Sequence, residues 1–520
     1  MKKFMLTGAF TLLTVVGVNA QTIYDGGNFA QKDLNGTARF VGMGGAMSAL
    51  GGDISTMGTN PAGIGIYRSN DFMTSFSFSA YGSESNYNGS KLSLDNNHWA
   101  FDNIGLVFST KIGNQTPLRY VNFGFNYHKT KSFYKNLSME GLIPALPNGG
   151  IVTQTYQMAN QANGATNEDL TYDQAFTNEN MGWLSVLGWQ GHLINQYDDP
   201  RFPNVPMYKP YTSSAPYSRF NSEERGGIDQ YDFNISFNIN DRVYLGATIG
   251  AYSVDYSKYS YYDEDFGDKT GYSLESFNRI TGSGVDFKLG MILRPIESSP
   301  LRLGVAFHTP TFYNLTLSTS SILLTDIGNG GLVDHYDLDT YNIVGNMERD
   351  YRLRTPWTYN LSLGYTVGSS LALGAEYEYE DYSTMSFSYS DGDKMSTENS
   401  QTDMLKGVST FRIGAEYKVI PQFAFRLGYN YSSAMYKDDA VKNLPYNSIS
   451  TDTDYANSKS LNNYTIGIGY KGDMFYADLA YKYSSYKSDF YAFNDADFAL
   501  DKTKLTNTRS QVLLTLGVRF

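Results

Sequence analysis

Between residues 71 and 520 about fourteen segments alternate apolar and polar residues with a period of two, and their connections alternate between short and long. Side chains on a strand point to opposite faces in turn, so each such segment reads as a strand with one apolar face. Phe76, Phe78 and Ala80 open the series. Ile104–Leu106–Phe108 and Val121–Phe123–Phe125–Tyr127 follow at the same spacing, then Tyr231–Phe233–Ile235–Phe237, Val243–Leu245–Ala247–Ile249 and Val285–Phe287–Leu289. Leu303–Val305–Phe307, Trp357–Tyr359–Leu361–Leu363, Leu373–Ala375–Tyr377–Tyr379 and Phe411–Ile413–Ala415–Tyr417 continue it. The last four strands are centred on 423–431, 464–470, 475–481 and 512–520.

The short connections fall near 113–117, 239–241, 295–300, 367–370, 419–422 and 471–473. Long polar stretches rich in Tyr, Asp, Asn and Ser cover 82–100, 129–227, 254–282, 318–352, 383–408, 432–461 and 486–506. An even number of strands with turns on one side and loops on the other predicts an antiparallel, all-β transmembrane barrel with both chain ends on the short-turn side. A soluble sandwich also alternates. Here, however, the polar face carries Glu, Arg, Asn, Gly and Thr, as a wet lumen would, and Tyr and Trp gather at strand ends. The 44 Tyr against 31 Phe fit the same reading. In the longest connection, 151–163 and 167–194 read as partly helical, with Met181, Leu184, Leu187 and Leu193 on an apolar face near Trp183 and Trp189.

The ends of the chain add two expectations. Lys2 and Lys3, an apolar run over 4–18, and Val18-Asn19-Ala20 have the form of an export signal cleaved before Gln21. The chain then divides into a signal peptide (1–20), an N-terminal segment (21–70) and the barrel (71–520). At the other end Val512, Leu514, Leu516, Val518 and Phe520 alternate to the last residue, and a terminal aromatic of this kind resembles the signal read by the barrel-assembly machinery.

Composition narrows the chemistry. Forty Lys and Arg against 52 Asp and Glu give a net charge of -12, which speaks against a nucleic-acid partner. With no Cys there is no thiolate metal ligand, cysteine nucleophile or disulfide. The histidines His98, His128, His192, His308 and His335 lack metal-ligand spacing, so neither a metal nor another cofactor is expected. No G-x-S-x-G elbow is present, His128 and His308 are expected to face the lumen, and an enzyme is not expected. No Walker A sequence is present, and Gly42, Gly44 and Met47 break the dinucleotide fingerprint at its third position.

The segment before the first strand is dominated by small residues, including Arg39, Gly42, Gly44-Gly45-Ala46 and Gly51-Gly52-Asp53, and runs on to Asn60-Pro61-Ala62-Gly63. Small residues suit tight packing inside a lumen. This stretch, the Asn-Pro-Ala sequence ahead of the first strand, and some fourteen strands ending in Phe together resemble the FadL-type outer-membrane transporters, in a Bacteroidetes-like branch. The resemblance implies a Gram-negative outer membrane and an N-terminal hatch over 21–70. It also implies passive transport of a hydrophobic small molecule, fatty acid-like or aromatic, within outer-membrane lipid. The alternative function is a docking or shuttle barrel for a secreted or surface protein. Phe40, Met43, Met47 and Leu50 are the candidate apolar contacts of the hatch, and Asn60, Pro61 and Ala62 are expected to shape its turn into the first strand. Glu376, Glu378 and Glu380 should form an acidic row facing the lumen, with Arg302, Arg412 and Arg426 pointing inward from other strands.

Overall fold

The structure, a computed structural model, describes residues 21–145, 151–211, 216–267, 269–329, 332–494 and 500–520. The expected signal peptide, 1–20, lies outside the described residues.

Fourteen strands form the wall: β1 (Asp71–Tyr87), β2 (Ser90–Lys111), β3 (Leu118–Ser132), β4 (Tyr217–Ile239), β5 (Val243–Gly267), β6 (Thr270–Leu293) and β7 (Arg302–His308). The second half is β8 (Thr358–Val367), β9 (Leu371–Asp381), β10 (Gly407–Ile420), β11 (Phe423–Ser432), β12 (Leu461–Lys471), β13 (Phe475–Tyr491) and β14 (Thr503–Arg519). Each pairs antiparallel with the next. The sheet closes where β1 pairs with β14, Asp71 opposite Arg519 and Asn86 opposite Lys504. Closure leaves no free edge, so every wall strand satisfies its backbone inside the sheet.

The period-two pattern sorts the two faces. Phe123, Phe233, Ile249, Leu361, Ile413 and Leu427 stand exposed on the outside, while Asn122, Asp232, Thr248, Asn360 and Arg426 are buried inside. A ring of exposed large apolar side chains on a closed barrel is the surface that lipid covers, and the chain spans a membrane.

Several of the long connections differ from plain loops. Residues 82–100 are a hairpin that carries β1 and β2 outward to a tight turn at Asn88 and Gly89, both with positive φ. Residues 254–282 likewise continue β5 and β6, with Asp255 opposite Thr281. The alternation fades there because both faces of these extensions leave the membrane. Beyond β7 and before β8, Phe312–Asn329 and Met347–Arg354 carry the wall further up, paired to each other. Pro310 and Pro356 separate these pieces from the strands below; proline has no N–H to give to a ladder.

In the longest connection, helices form at α1 (Thr155–Ala162), α2 (Asn167–Thr171) and α3 (Trp183–Gln190). Trp183, Leu184, Leu187 and Leu193 are buried, and Met181 and Trp189 partly so. They share one cluster with Tyr262, Leu274 and Leu323 of the strand extensions, so this connection packs into the barrel mouth and not only on itself.

Candidate functional site

Residues 21–70 occupy the lumen, and the wall is shaped to receive them. Inward-facing glycines on neighbouring strands lie directly against this segment's backbone: Gly374 on Ala46, Gly414 on Met43, Gly428 on Gly44 and Gly246 on Pro61. A Cβ at any of these positions would collide with main chain, and a main chain cannot swing aside as a long side chain can. Gly44 also has φ +62, a left-handed conformation that glycine adopts without cost.

Ion pairs tie the segment to the wall. Arg39 Nε donates to Glu416 Oε2 at 2.8 Å, and its Nη1 to Gly52 O at 2.9 Å. Arg426 Nε reaches the same Glu416 oxygen at 2.8 Å, and its Nη1 reaches Asp478 at 2.5 Å. Arg302 Nη1 donates to Leu50 O at 2.5 Å. The acidic row of β9 is satisfied from β10: Arg412 bridges Glu376 at 2.5 Å and Glu378 at 2.6 Å, while Glu380 accepts from Thr358 Oγ1 at 2.8 Å. The three arginines and three glutamates of the sequence reading therefore all face inward. Arg412 joins the row, Arg426 joins Glu416, and Arg302 caps a plug carbonyl.

Phe40, Met43, Met47 and Leu50 are 5%, 1%, 0% and 6% exposed. They pack with Leu34, Ala38 and Val41 and with Ala480 and Leu513 of the wall. Asn60 Oδ1 accepts from Ala62 N at 3.1 Å and its Nδ2 donates to Met291 O at 3.3 Å, while Pro61 starts a 3-10 turn, Pro61–Ile66. Ala62 is fully buried.

A cavity of about 250 Å³ lies at the long-connection end, between residues 24–34 and the upper wall. None of the four apolar candidates lines it; Leu34, Tyr81, Leu94, Phe133, Tyr134 and Tyr436 do, among charged residues. Sequence reasoning missed its charged members, among them Asp33, Lys131, Lys482 and Arg509. Two were within reach. Lys482 is out of phase with lipid-facing Leu479 and Tyr481, and Arg509 with Val512 and Leu514, so both fall on the lumen face. Lys131 was not, because the register of β3 against β4 shifts between Lys129 and Lys131. A further buried cluster, Lys288 with Asp232 at 3.0 Å and Asp286 at 2.9 Å, sits lower in the lumen. His308 Nε2 lies 3.0 Å from Thr59 O, and His128 also faces the lumen, as expected. Among the described residues no group of three His, Asp or Glu could hold a metal ion.

Together these features define a fourteen-stranded membrane barrel whose lumen is filled by its own N-terminal segment beneath an outer cavity. That is the FadL-type fold. A FadL homologue of Pseudomonas aeruginosa aligns with a TM-score of 0.50 at 13% identity, over 94% of this chain and 99% of the other. The toluene transporter TodX of Pseudomonas putida aligns at 0.47 and 11% identity, over 94% and 99% of the two chains. The toluene transporter TbuX of Ralstonia pickettii aligns at 0.46 and 13%, with the same coverage. No protein-family model and no curated protein matches the sequence.

Proposed function

We propose that the chain is an outer-membrane channel for the passive entry of hydrophobic or amphipathic small molecules, with residues 21–70 acting as its hatch. The observation that carries this reading is the pairing of a cavity of about 250 Å³, lined in part by aromatic rings, with a lumen closed by a segment that is not part of the sheet. A cavity of mixed lining suits a ligand with an apolar body and a few polar groups. The apolar outer belt, the short turns on the side of both chain ends and the fold shared with a FadL homologue support an outer-membrane setting. Below the cavity the segment packs against the wall, so passage requires a rearrangement of the hatch or a lateral opening in the barrel wall, and no nucleotide motif in the sequence supplies energy for it.

Native mass spectrometry of the barrel taken from its own membranes tests the reading. A co-purifying apolar small molecule, lost when Ser83→Trp places an indole in the cavity, is the expected result. An empty barrel carrying a stoichiometric protein partner would replace the channel with a docking function.

A further inference from the structure

Residues 31–35 cross the floor of the cavity and, beside the packing of Leu34 in the apolar cluster, are fastened to the wall by polar contacts. Asp33 N donates to Thr130 O at 2.8 Å. Its carboxylate accepts from Ser132 N at 3.2 Å and from Arg509 Nη1 at 2.9 Å, and stands 3.6 Å from Lys131 Nζ. Leu34 O accepts from Lys482 Nζ at 2.5 Å, and Asn35 Nδ2 donates to Asp102 Oδ1 at 2.8 Å.

The three cations come from three different strands, β3, β13 and β14, so the barrel fixes their positions. Lys482 is 1% exposed, and the side chains of Arg509 and Lys131 are 12% and 16% exposed. Asp33, by contrast, belongs to a segment outside the sheet. Burial pushes its carboxyl up, but Lys131, Arg509 and Lys482 together outweigh that and hold it below the usual carboxylate range. All four side chains line the cavity, together with Tyr81, Leu94, Phe133 and Tyr134, and the Arg509 guanidinium lies 4.7 Å from the centre of the Tyr81 ring. The lining also holds Asp25, Glu224, Asp452 and Asp454; Lys258 binds Asp452 and Asp454, and Lys442 binds Asp452. Asp102 is outside the lining and bound to Asn35.

Buried cations left without an anion are strongly unfavourable, whereas exchanging one carboxylate for another leaves the charge balance unchanged. We propose that Lys131, Lys482 and Arg509 form a receptor for the anionic group of an amphipathic ligand, and that Asp33 fills it while the cavity is empty. Ligand and N-terminal segment then compete for the same cations, so binding releases residues 31–35 from the wall. This rests on the channel reading above and adds to it a ligand class and a trigger. A neutral hydrocarbon of the same size has nothing to exchange for Asp33.

The test compares 4-phenylbutyrate with 4-phenylbutanol, matched in shape and different in charge, by calorimetry on the full barrel in a non-ionic maltoside. Asp33→Asn removes the internal anion and keeps an acceptor for Ser132 N. It is expected to strengthen phenylbutyrate binding at least fivefold and to leave phenylbutanol within twofold. Arg509→Gln is expected to weaken phenylbutyrate at least fivefold. In the unaltered barrel, saturating phenylbutyrate should speed hydrogen exchange over 31–35 and phenylbutanol should not. Binding of both probes with no discrimination by Asp33→Asn overturns the exchange and leaves the channel standing. If neither probe binds, both readings fall. Should Arg509→Gln not fold, Asp33→Asn and the exchange measurement decide alone.

Discussion

Arg39 and Glu416 form an ion pair that joins the lumenal segment to the wall, 2.8 Å from Nε to Oε2, with the Glu416 side chain 5% exposed. Glu416 shares that oxygen with Arg426, and Arg426 continues to Asp478. Two arginines therefore neutralise two carboxylates across one lumenal network, and only Arg39 belongs to the N-terminal segment. Removing Arg39 leaves Glu416 with one partner in place of two, at a cost of roughly 2 kcal/mol for a lost charged hydrogen bond. Arg39→Leu is expected to loosen the segment and give conductance steps in planar bilayers that the unaltered barrel does not show. A silent Arg39→Leu barrel would mean that packing and the remaining polar contacts, those of Asp33 and Arg302 among them, hold the segment without Arg39.

The glycine contacts make a sharper test, because they involve main chain. Gly374→Val puts two methyls and a Cβ into Ala46 O, and Gly414→Val does the same against Met43 O. Overpacking of this kind costs about 1–3 kcal/mol or more. Ala375→Val, one residue along β9 and facing lipid, should be neutral. Heat-modifiable mobility in SDS gels should show a lower transition for both glycine variants and none for Ala375→Val. Equal transitions would mean that the segment is not seated against these strands.

Much of this architecture was legible in the sequence because its physics is local. Each of the fourteen expected strands falls on a wall strand, only Trp357 and Phe520 lying one residue beyond, since lipid on one face and a packed lumen on the other enforce a period of two. The same rule placed Glu376, Arg412 and Arg426 inside. It failed above the membrane, where residues 82–100 and 254–282 read as loops and form paired extensions. It does not reach Phe40, Met43, Met47 and Leu50, which lie outside the strands. A sequence shows that they are apolar, but not that Ala480 and Leu513 cover them and that the cavity opens elsewhere. The cavity's charged floor gathers Asp33, Lys131, Lys482 and Arg509 from positions hundreds of residues apart, and no spacing rule links them.

Trp183 offers a test of how independent the outer cap is. Its ring is fully buried, its Nε1 donates to Phe176 O at 2.9 Å, and the two rings meet edge to face at 5.9 Å. Trp183→Ala should cost about 3–5 kcal/mol locally. Because the wall closes without this connection, the barrel transition in SDS gels should stay in place while proteolysis within 151–211 accelerates at least tenfold. A fall in the barrel transition itself would show that the cap and the wall unfold together.

Glu398 gives the cap a pH dependence. It lies in the short helix Ser396–Gln401 between β9 and β10, is 0% exposed, and neither side-chain oxygen is hydrogen-bonded by another residue. Burial pushes its carboxyl from 4.5 up to about 7. The folded loop thus holds the proton more tightly than the unfolded one. Its stabilising contribution is complete below about pH 4.5, declines as pH rises, and is gone above about pH 7. At about 1.4 kcal/mol per unit, the whole swing is on the order of 3 kcal/mol. Glu398→Gln keeps the neutral shape at every pH. Proteolysis within 386–406, measured for both proteins at each pH, should be nearly equal at pH 5 and at least tenfold faster for the unaltered chain at pH 8. A constant ratio between the two pH values would place the Glu398 carboxyl in contact with water or a cation and remove the switch.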